Sequence, residues 1–193
     1  LLISSYLNMD MIGRLADKLV LQGTGSSDYW EGAIERRNAP IGLPITIQPD
    51  TYLPTDATNF YLRKIPILSA FTGAHADYHT PRDTVDKINY EGTADIAKLM
   101  GLIVRELSID EAGPKYVKVA PPKNRGARGF RVYLGTVPDY SQGEIKGVKL
   151  SGVADNGPAG KAGVKGGDVI VGLAGKNILN IYDYTDAMAG LKV

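Results

Sequence analysis

The sequence predicts an α/β layered domain followed by a small β-rich module, and three observations carry that expectation. Residues 1–7 and 65–70 are short, nearly continuous apolar runs, the signature of strands covered on both faces in a parallel or mixed sheet. Ile96, Leu99, Met100, Ile103, Val104 and Leu107 recur at i, i+3, i+4, i+7, which marks one apolar face of a long helix. Beyond Phe130 the pattern changes to short apolar segments separated by glycines, as small strands joined by tight turns do.

Taken in order, residues 18–22 and 45–48 are weaker strand candidates between the two strong ones. Ser27 and Asp28 are placed to cap a helix that sets Trp30 and Ile34 on one face and ends near Asn38, just ahead of Pro40. Strands alternating with helices indicate a layered α/β domain over 1–107. Residues 108–128, rich in Pro, Gly and Lys without a hydrophobic period, read as a linker. In the module over 129–193, the segments 130–134, 148–153 and 168–173 are strand candidates. Asn180 is placed to cap a helix over 182–191 with Ile181, Tyr184, Met188 and Leu191 on one face.

Composition narrows the chemistry. The 193 residues carry 22 Lys+Arg against 21 Asp+Glu, two His and no Cys, with 44% hydrophobic and 22% charged residues. That is an ordinary globular composition, which excludes disordered, collagenous and disulfide-stapled classes. Without cysteine there is no thiolate zinc finger, iron–sulfur cluster or cysteine nucleophile, so a metal site must use oxygen ligands and at most two imidazoles. Net charge near zero gives no reason to expect a nucleic-acid partner, and the one basic cluster, Lys123, Arg125, Arg128 and Arg131, reads as a solvated linker. No apolar run approaches the ~20 residues needed to cross a bilayer.

Two polar clusters follow the two strongest strand candidates. One is Asn8-Met9-Asp10-Met11-Ile12-Gly13; the other runs from Gly73 to Thr84 and holds His75, Asp77, Tyr78, His79 and Asp83. In open α/β sheets, ligands collect at the carboxyl ends of strands, where loops converge. Alternatives stand beside each candidate. Asp10 is either a ligand or a turn cap. His79 is either a loop histidine hydrogen-bonded to Asp83 or a metal-bound imidazole that Asp83 orients through its second nitrogen. Asp56, just before an apolar helix start, serves equally as a helix cap.

The order Asn8-Met9-Asp10-Met11-Ile12-Gly13-Arg14, then Pro54-Thr55-Asp56-Ala57-Thr58-Asn59-Phe60 leading to Ile65-Pro66-Ile67-Leu68, then Ala76-Asp77-Tyr78-His79-Thr80-Pro81-Arg82-Asp83-Thr84 resembles the carboxyl-terminal half of the co-catalytic zinc aminopeptidases. That family also contains relatives of the transferrin receptor and the glutaminyl cyclases. The resemblance implies a mixed-sheet α/β/α fold, two Zn²⁺ ions per complete catalytic domain and hydrolysis of peptides from their amino termini. It makes Asp10 a terminal ligand of one zinc, His79 a terminal ligand of the other, and Tyr78 the phenol that stabilises the oxyanion. Asp56 becomes support for the pocket, with Ala57 standing where the family usually has histidine, and Asp83 falls on the family's Tyr-His-Thr-x-x-Asp segment; His75 is unassigned, supporting a ligand, lining the pocket or doing neither. The family's remaining ligands and general base lie upstream of the Asn-x-Asp-Met segment, so the expectation is a part of a larger enzyme that does not hydrolyse peptides by itself.

The second part, with Tyr133-Leu134-Gly135-Thr136, Gly157-Pro158-Ala159-Gly160-Lys161-Ala162-Gly163-Val164 and Gly166-Gly167-Asp168-Val169-Ile170, resembles a bacterial PDZ domain of the kind found in periplasmic proteases. Gly157 replaces the usual serine and Val164 the usual leucine. The resemblance makes Tyr133, Leu134, Gly135 and Thr136 a carboxylate-binding loop for a carboxyl-terminal peptide that adds as a strand, with Thr136 where phenylalanine is usual. A closed module that packs without binding is the alternative. The PDZ pattern lacks its last strand at 193, and the resemblance implies a periplasmic or extracellular setting. The competing reading for the whole is a metal-free pseudoenzyme acting through the PDZ groove.

Overall fold

The computed structural model describes residues 3–53, 55–75, 77–78, 80–120, 132–139, 145–154 and 156–191. The chain divides into two units, Leu1–Thr72 with Asp86–Pro121, and Gly73–Val85 with Pro122–Val193.

The first unit is built on a four-stranded mixed sheet: β1 (Tyr6–Asp10), β2 (Leu19–Gln22), β3 (Ile45–Gln48) and β4 (Ile67–Phe71), in the spatial order β1-β4-β2-β3. β1 runs parallel to β4 and β2 parallel to β3, while β2 and β4 are antiparallel. The fold class is therefore α/β with a mixed sheet, as expected. β3 occupies the residues that the sequence indicates, but the two strong strands are shifted along the chain. Pro66 has no N–H to give to a ladder, so β4 begins at Ile67, while the Pro66 carbonyl accepts from the Tyr6 amide at 2.9 Å. Pairing then runs from Tyr6 opposite Ile67 to Asp10 opposite Phe71. Asn8 and Asp10, expected in a loop, are the middle and the last residue of β1.

Helices α1 (Tyr29–Asn38), α2 (Ala57–Tyr61) and α3 (Tyr90–Ile109) cover the sheet. Trp30 and Ile34 of α1 and Ile96, Leu99, Met100 and Ile103 of α3 enclose Leu19, Leu21, Leu68 and Ala70 on one sheet face. Each leucine, isoleucine or methionine among them contributes roughly 1.5–3 kcal/mol on burial. Asp28 precedes α1 but makes no capping bond; the Ser27 hydroxyl accepts from the Tyr29 amide at 3.3 Å instead.

Val104, expected on the buried face of α3, is 51% exposed. The helix is turned to bury Glu106, which accepts from Arg36 at 2.5 Å, from Arg37 and from the Tyr29 hydroxyl at 3.3 Å, all from α1. Burial by itself would raise the Glu106 pKa. The hydrogen bonds and charges of the two arginines outweigh it and hold the carboxyl below the usual range. Burial, followed by the Glu106 charge, pushes the Tyr29 phenol up to about 12.

On the opposite sheet face Leu53, Ala57, Tyr61 and Ile67 form a second cluster, with Tyr6 and Phe60 stacked at 4.0 Å. Part of the expected linker belongs to this layer. The Val119 amide donates to the Tyr61 hydroxyl at 2.6 Å, the Val117 carbonyl accepts from it at 3.2 Å, and the Tyr116 ring lies 5.2 Å from that of Tyr61. Backbone bonds to tyrosine hydroxyls have no sequence period, which is why residues 116–119 read as a linker. The basic cluster at 123–131 lies outside the described residues.

The second unit contains β5 (Thr136–Pro138), β6 (Val148–Val153) and β7 (Val169–Ile170) as an antiparallel sheet in that order. α4 (Pro158–Lys161) precedes β7, a hairpin of β8 (Gly172–Leu173) and β9 (Lys176–Asn177) follows, and α5 (Ile181–Gly190) closes the set. The expected strand at 130–134 is not formed over its described residues, 132–134, and the one expected at 168–173 is broken at Val171. Val171 gives its carbonyl to the Ile178 amide, and Ala174 and Gly175, both at positive φ (50° and 75°), turn the chain back as a tight hairpin. Asn180 caps α5 as expected, accepting from the Tyr182 and Asp183 amides. Val148, Leu150, Ile178, Tyr184, Ala187 and Met188 form the core of this unit. No helix among the described residues is long and apolar enough to cross a membrane.

Candidate functional site

Asp10 ends β1 with its residue exposed. The chain that leaves it is held tightly. Met11 takes a left-handed conformation (φ 51°), and its carbonyl accepts from the Thr72 hydroxyl just past β4. A 3-10 turn over Ile12–Arg14 then docks on the start of α3: the Gly13 carbonyl accepts from the Asn89 amide at 2.8 Å, and the Leu15 carbonyl from Asn89 Nδ2 at 2.8 Å. Asn89 also caps α3 through the Gly92 amide. The Asn-x-Asp-Met-x-Gly segment is thus a strand end whose exit is clamped by one residue beyond β4 and by the cap of α3.

The segment 73–85 belongs to the second unit. It winds through successive short turns, the Tyr78 amide bonding the His75 carbonyl at 3.0 Å, Thr80 the Asp77 carbonyl at 3.0 Å, and Asp83 the Thr80 carbonyl at 3.1 Å. Tyr78 is half-buried. Asp83, expected beside His79, stands 3.8 Å from His75 Nε2, and Arg82 lies 3.5 Å from Asp77. His79 lies outside the described residues.

Asp56 occupies the position before α2 without a side-chain capping bond; its carbonyl accepts from the Asn59 amide at 2.9 Å. Ala57, where the resembled motif carries histidine, is fully buried among Leu53, Tyr61 and Ile67, an apolar setting for a small side chain. For zinc, an exposed carboxylate such as that of Asp10 is a suitable donor in kind. In number the set falls short: among the described residues no three His, Cys, Asp or Glu side chains are grouped to hold a metal ion.

In the second unit Gly135 adopts φ 79°, and a β-carbon there would stand 3.1 Å from Gly157 Cα. A β-carbon on Gly157 would in turn be 3.1 Å from the Ala154 carbonyl oxygen and 3.2 Å from that of Leu134, a tight fit for the serine usual there. The Thr136 hydroxyl is 2.6 Å from that of Tyr184 on α5, a buried phenol whose pKa burial raises against the lowering effect of that hydrogen bond. The Gly135 carbonyl bonds the Ala154 amide, so Thr136 opposite Val153 turns its own N–H and C=O to the free side of β5. Pro138 faces the same way and offers only a carbonyl. Tyr133 is 70% exposed. Asp168 accepts from the Lys165 amide at 2.9 Å, closing the turn before β7.

The sequence reading missed Thr72, Asn89 and Gly92 as the clamp on Asp10, and Tyr184 as the partner of Thr136. Asn89 immediately before the α3 pattern was a legible cap signal; the others are long-range pairings.

Comparison with curated proteins gives no match. Among solved structures the chain is similar to the LapA aminopeptidase of Legionella pneumophila, at 16% identity and a TM-score of 0.49, over 56% of this chain and 32% of that one. It thus spans about a third of that protein's length. The family model for peptidase family M28 matches residues 2–104, more than half of the chain, from before β1 into α3. The chain belongs to peptidase family M28.

Proposed function

We propose that the chain supplies part of the active centre of a zinc-dependent aminopeptidase, with Asp10 and His79 each ligating one of two zinc ions and Tyr78 donating to the oxyanion. The observation that carries this reading is the family match over residues that include Asp10 at the carboxyl end of β1, where α/β sheets gather ligands. The zinc ions, when bound, would lower the pKa of a shared water and polarise the scissile carbonyl. The clamp from Thr72 and Asn89 supports the role of Asp10, because it holds the residues that follow the carboxylate. A phenol is a suitable preorganised donor for developing negative charge.

The second unit is proposed to act as a PDZ-like module that takes a carboxyl-terminal peptide at Tyr133, Leu134, Gly135 and Thr136. Support comes from the left-handed Gly135 and from the Thr136 backbone groups on the free side of β5. The test is zinc content together with cleavage of an aminoacyl-nitroanilide by the native protein and by Asp10→Asn and His79→Ala. Each variant is expected to lose zinc and cleavage together; unchanged zinc content in the variants would remove the ligand assignment, and no zinc in the native protein would favour the metal-free, peptide-binding role.

A further inference from the structure

Among the described residues β3 is an edge of the first sheet, with no strand paired on its outer side. The Leu19 amide bonds the Pro44 carbonyl, which in a parallel ladder assigns Thr46 and Gln48 to β2 and turns the N–H and C=O of Ile45 and Ile47 outward. Native sheets blunt such edges with lysine, proline or bulges. β3, four residues held between Pro44 and Pro49, is a short edge, but within it there is no lysine or bulge and Ile47 is left 40% exposed.

A groove runs between this edge and α1, with Ile34, Leu43, Ile45 and Ile47 on its apolar surface and Glu31 and Glu35 among its polar lining. No basic side chain lines it, and neither glutamate is engaged in an ion pair among the described residues. The two carboxylates are four residues apart on one helix, about 6 Å along its axis. Alternate residues of a strand, which share a face, are separated by about 6.6 Å. A strand laid beside β3 with lysine or arginine at two successive same-face positions therefore matches the glutamates in charge and spacing. The alkyl stems of those side chains would cover the isoleucines.

We propose that this edge binds an extended polypeptide segment bearing two basic side chains two residues apart, added to the sheet as a fifth strand. Backbone pairing to Ile45 and Ile47 supplies the attachment, and Glu31 and Glu35 select for positive charge. The site is independent of the zinc reading.

The probe is a fluorescein-labelled peptide, Thr-Val-Thr-Lys-Thr-Lys-Thr, blocked at both ends so that neither a carboxylate loop nor an amino-terminal site recognises it. Titration with the full 193-residue chain should give saturable binding that salt weakens. Glu31→Gln/Glu35→Gln should weaken it at least tenfold with an unchanged melting temperature, and the matched Thr-Val-Thr-Glu-Thr-Glu-Thr peptide should not bind. Amide exchange at Ile45 and Ile47 should slow in the complex. Absence of binding, equal binding of both peptides, indifference to the double substitution, or protection at Thr136 in place of Ile45 and Ile47 would each overturn the proposal. So would sedimentation showing a dimer that the double substitution dissociates, since the occupant would then be a second copy of the chain.

Discussion

Gly92 and Leu15 approach so closely that a β-carbon on Gly92 would stand 2.8 Å from Leu15 Cδ2 and 2.9 Å from Leu15 Cβ. This contact seats the chain leaving Asp10 on the first turn of α3. Alanine is favoured over glycine inside a helix by about 1 kcal/mol. Here the clash outweighs that gain, and overpacking of this kind costs about 1–3 kcal/mol. Gly92→Ala should lower the melting temperature and, by displacing residues 11–15, weaken zinc binding by the native protein. Calorimetry and zinc titration measure the two effects.

Glu106 links α3 to α1 and gives stability a definite pH dependence. Its folded pKa is lowered, so between that value and the unfolded one, about 4.3, the unfolded chain binds the proton and the folded chain does not. Stability therefore rises with pH through this window, is fully present above it, and is lost as pH falls through the folded pKa. Glu106→Gln should flatten the acid limb of the melting-temperature profile. Removing both arginines, as Arg36→Ala/Arg37→Ala, leaves a carboxylate whose side chain is only 8% exposed without its counter-charges. That double variant should be the less stable of the two at neutral pH, read as the lower urea midpoint.

Ser26 is a fully buried hydroxyl with three partners. It accepts from Trp30 Nε1 and the Ile67 amide and donates to the Ile67 carbonyl, each at 2.9 Å. Ser26→Ala strands two buried donors, each costing about 1–3 kcal/mol. Urea titration should show a loss of about 2–6 kcal/mol, far above that of an exposed serine such as Ser108 replaced in the same way.

In the second unit, Gly135→Ala forces a side chain into the left-handed region at about 1–3 kcal/mol. If Gly135 frees the loop amides for a carboxylate, this substitution should abolish binding of a peptide with a free carboxyl terminus, measured by calorimetric titration. An amidated peptide should bind weakly to the parent protein. Because Pro138 offers no N–H on the outer side of β5, lengthening the peptide past the residue opposite Pro138 should add no further affinity.

The sequence made the layering of the first unit legible because burial imposes a period. The apolar stripe of α3 and the alternation in β3 both record which face meets the core. Register was not legible: the apolar run at 1–7 gave no sign that β1 continues to Asp10, since its extent is set by pairing with β4, which Pro66 delays to Ile67. Val104 was misplaced because the helix turns to bury Glu106, whose neutralising arginines sit about 70 residues away in sequence. The docking of 116–119 depends on tyrosine hydroxyls that accept and donate to backbone, which no local pattern announces. Of the candidate site, Asp10, Tyr78 and Gly135 were readable as motifs, whereas Thr72, Asn89 and Tyr184 act through contacts formed only on folding.

The central claim is that Asp10 is a zinc ligand, and its most direct test is the metal content of the native protein and its Asp10→Asn variant after equilibration with zinc. The substitution keeps the size of the side chain and removes the charge. Elemental analysis should show zinc reduced by about one ion per chain, with nitroanilide cleavage lost in parallel and the fold intact by circular dichroism. Undiminished zinc in a folded Asp10→Asn protein would contradict the account.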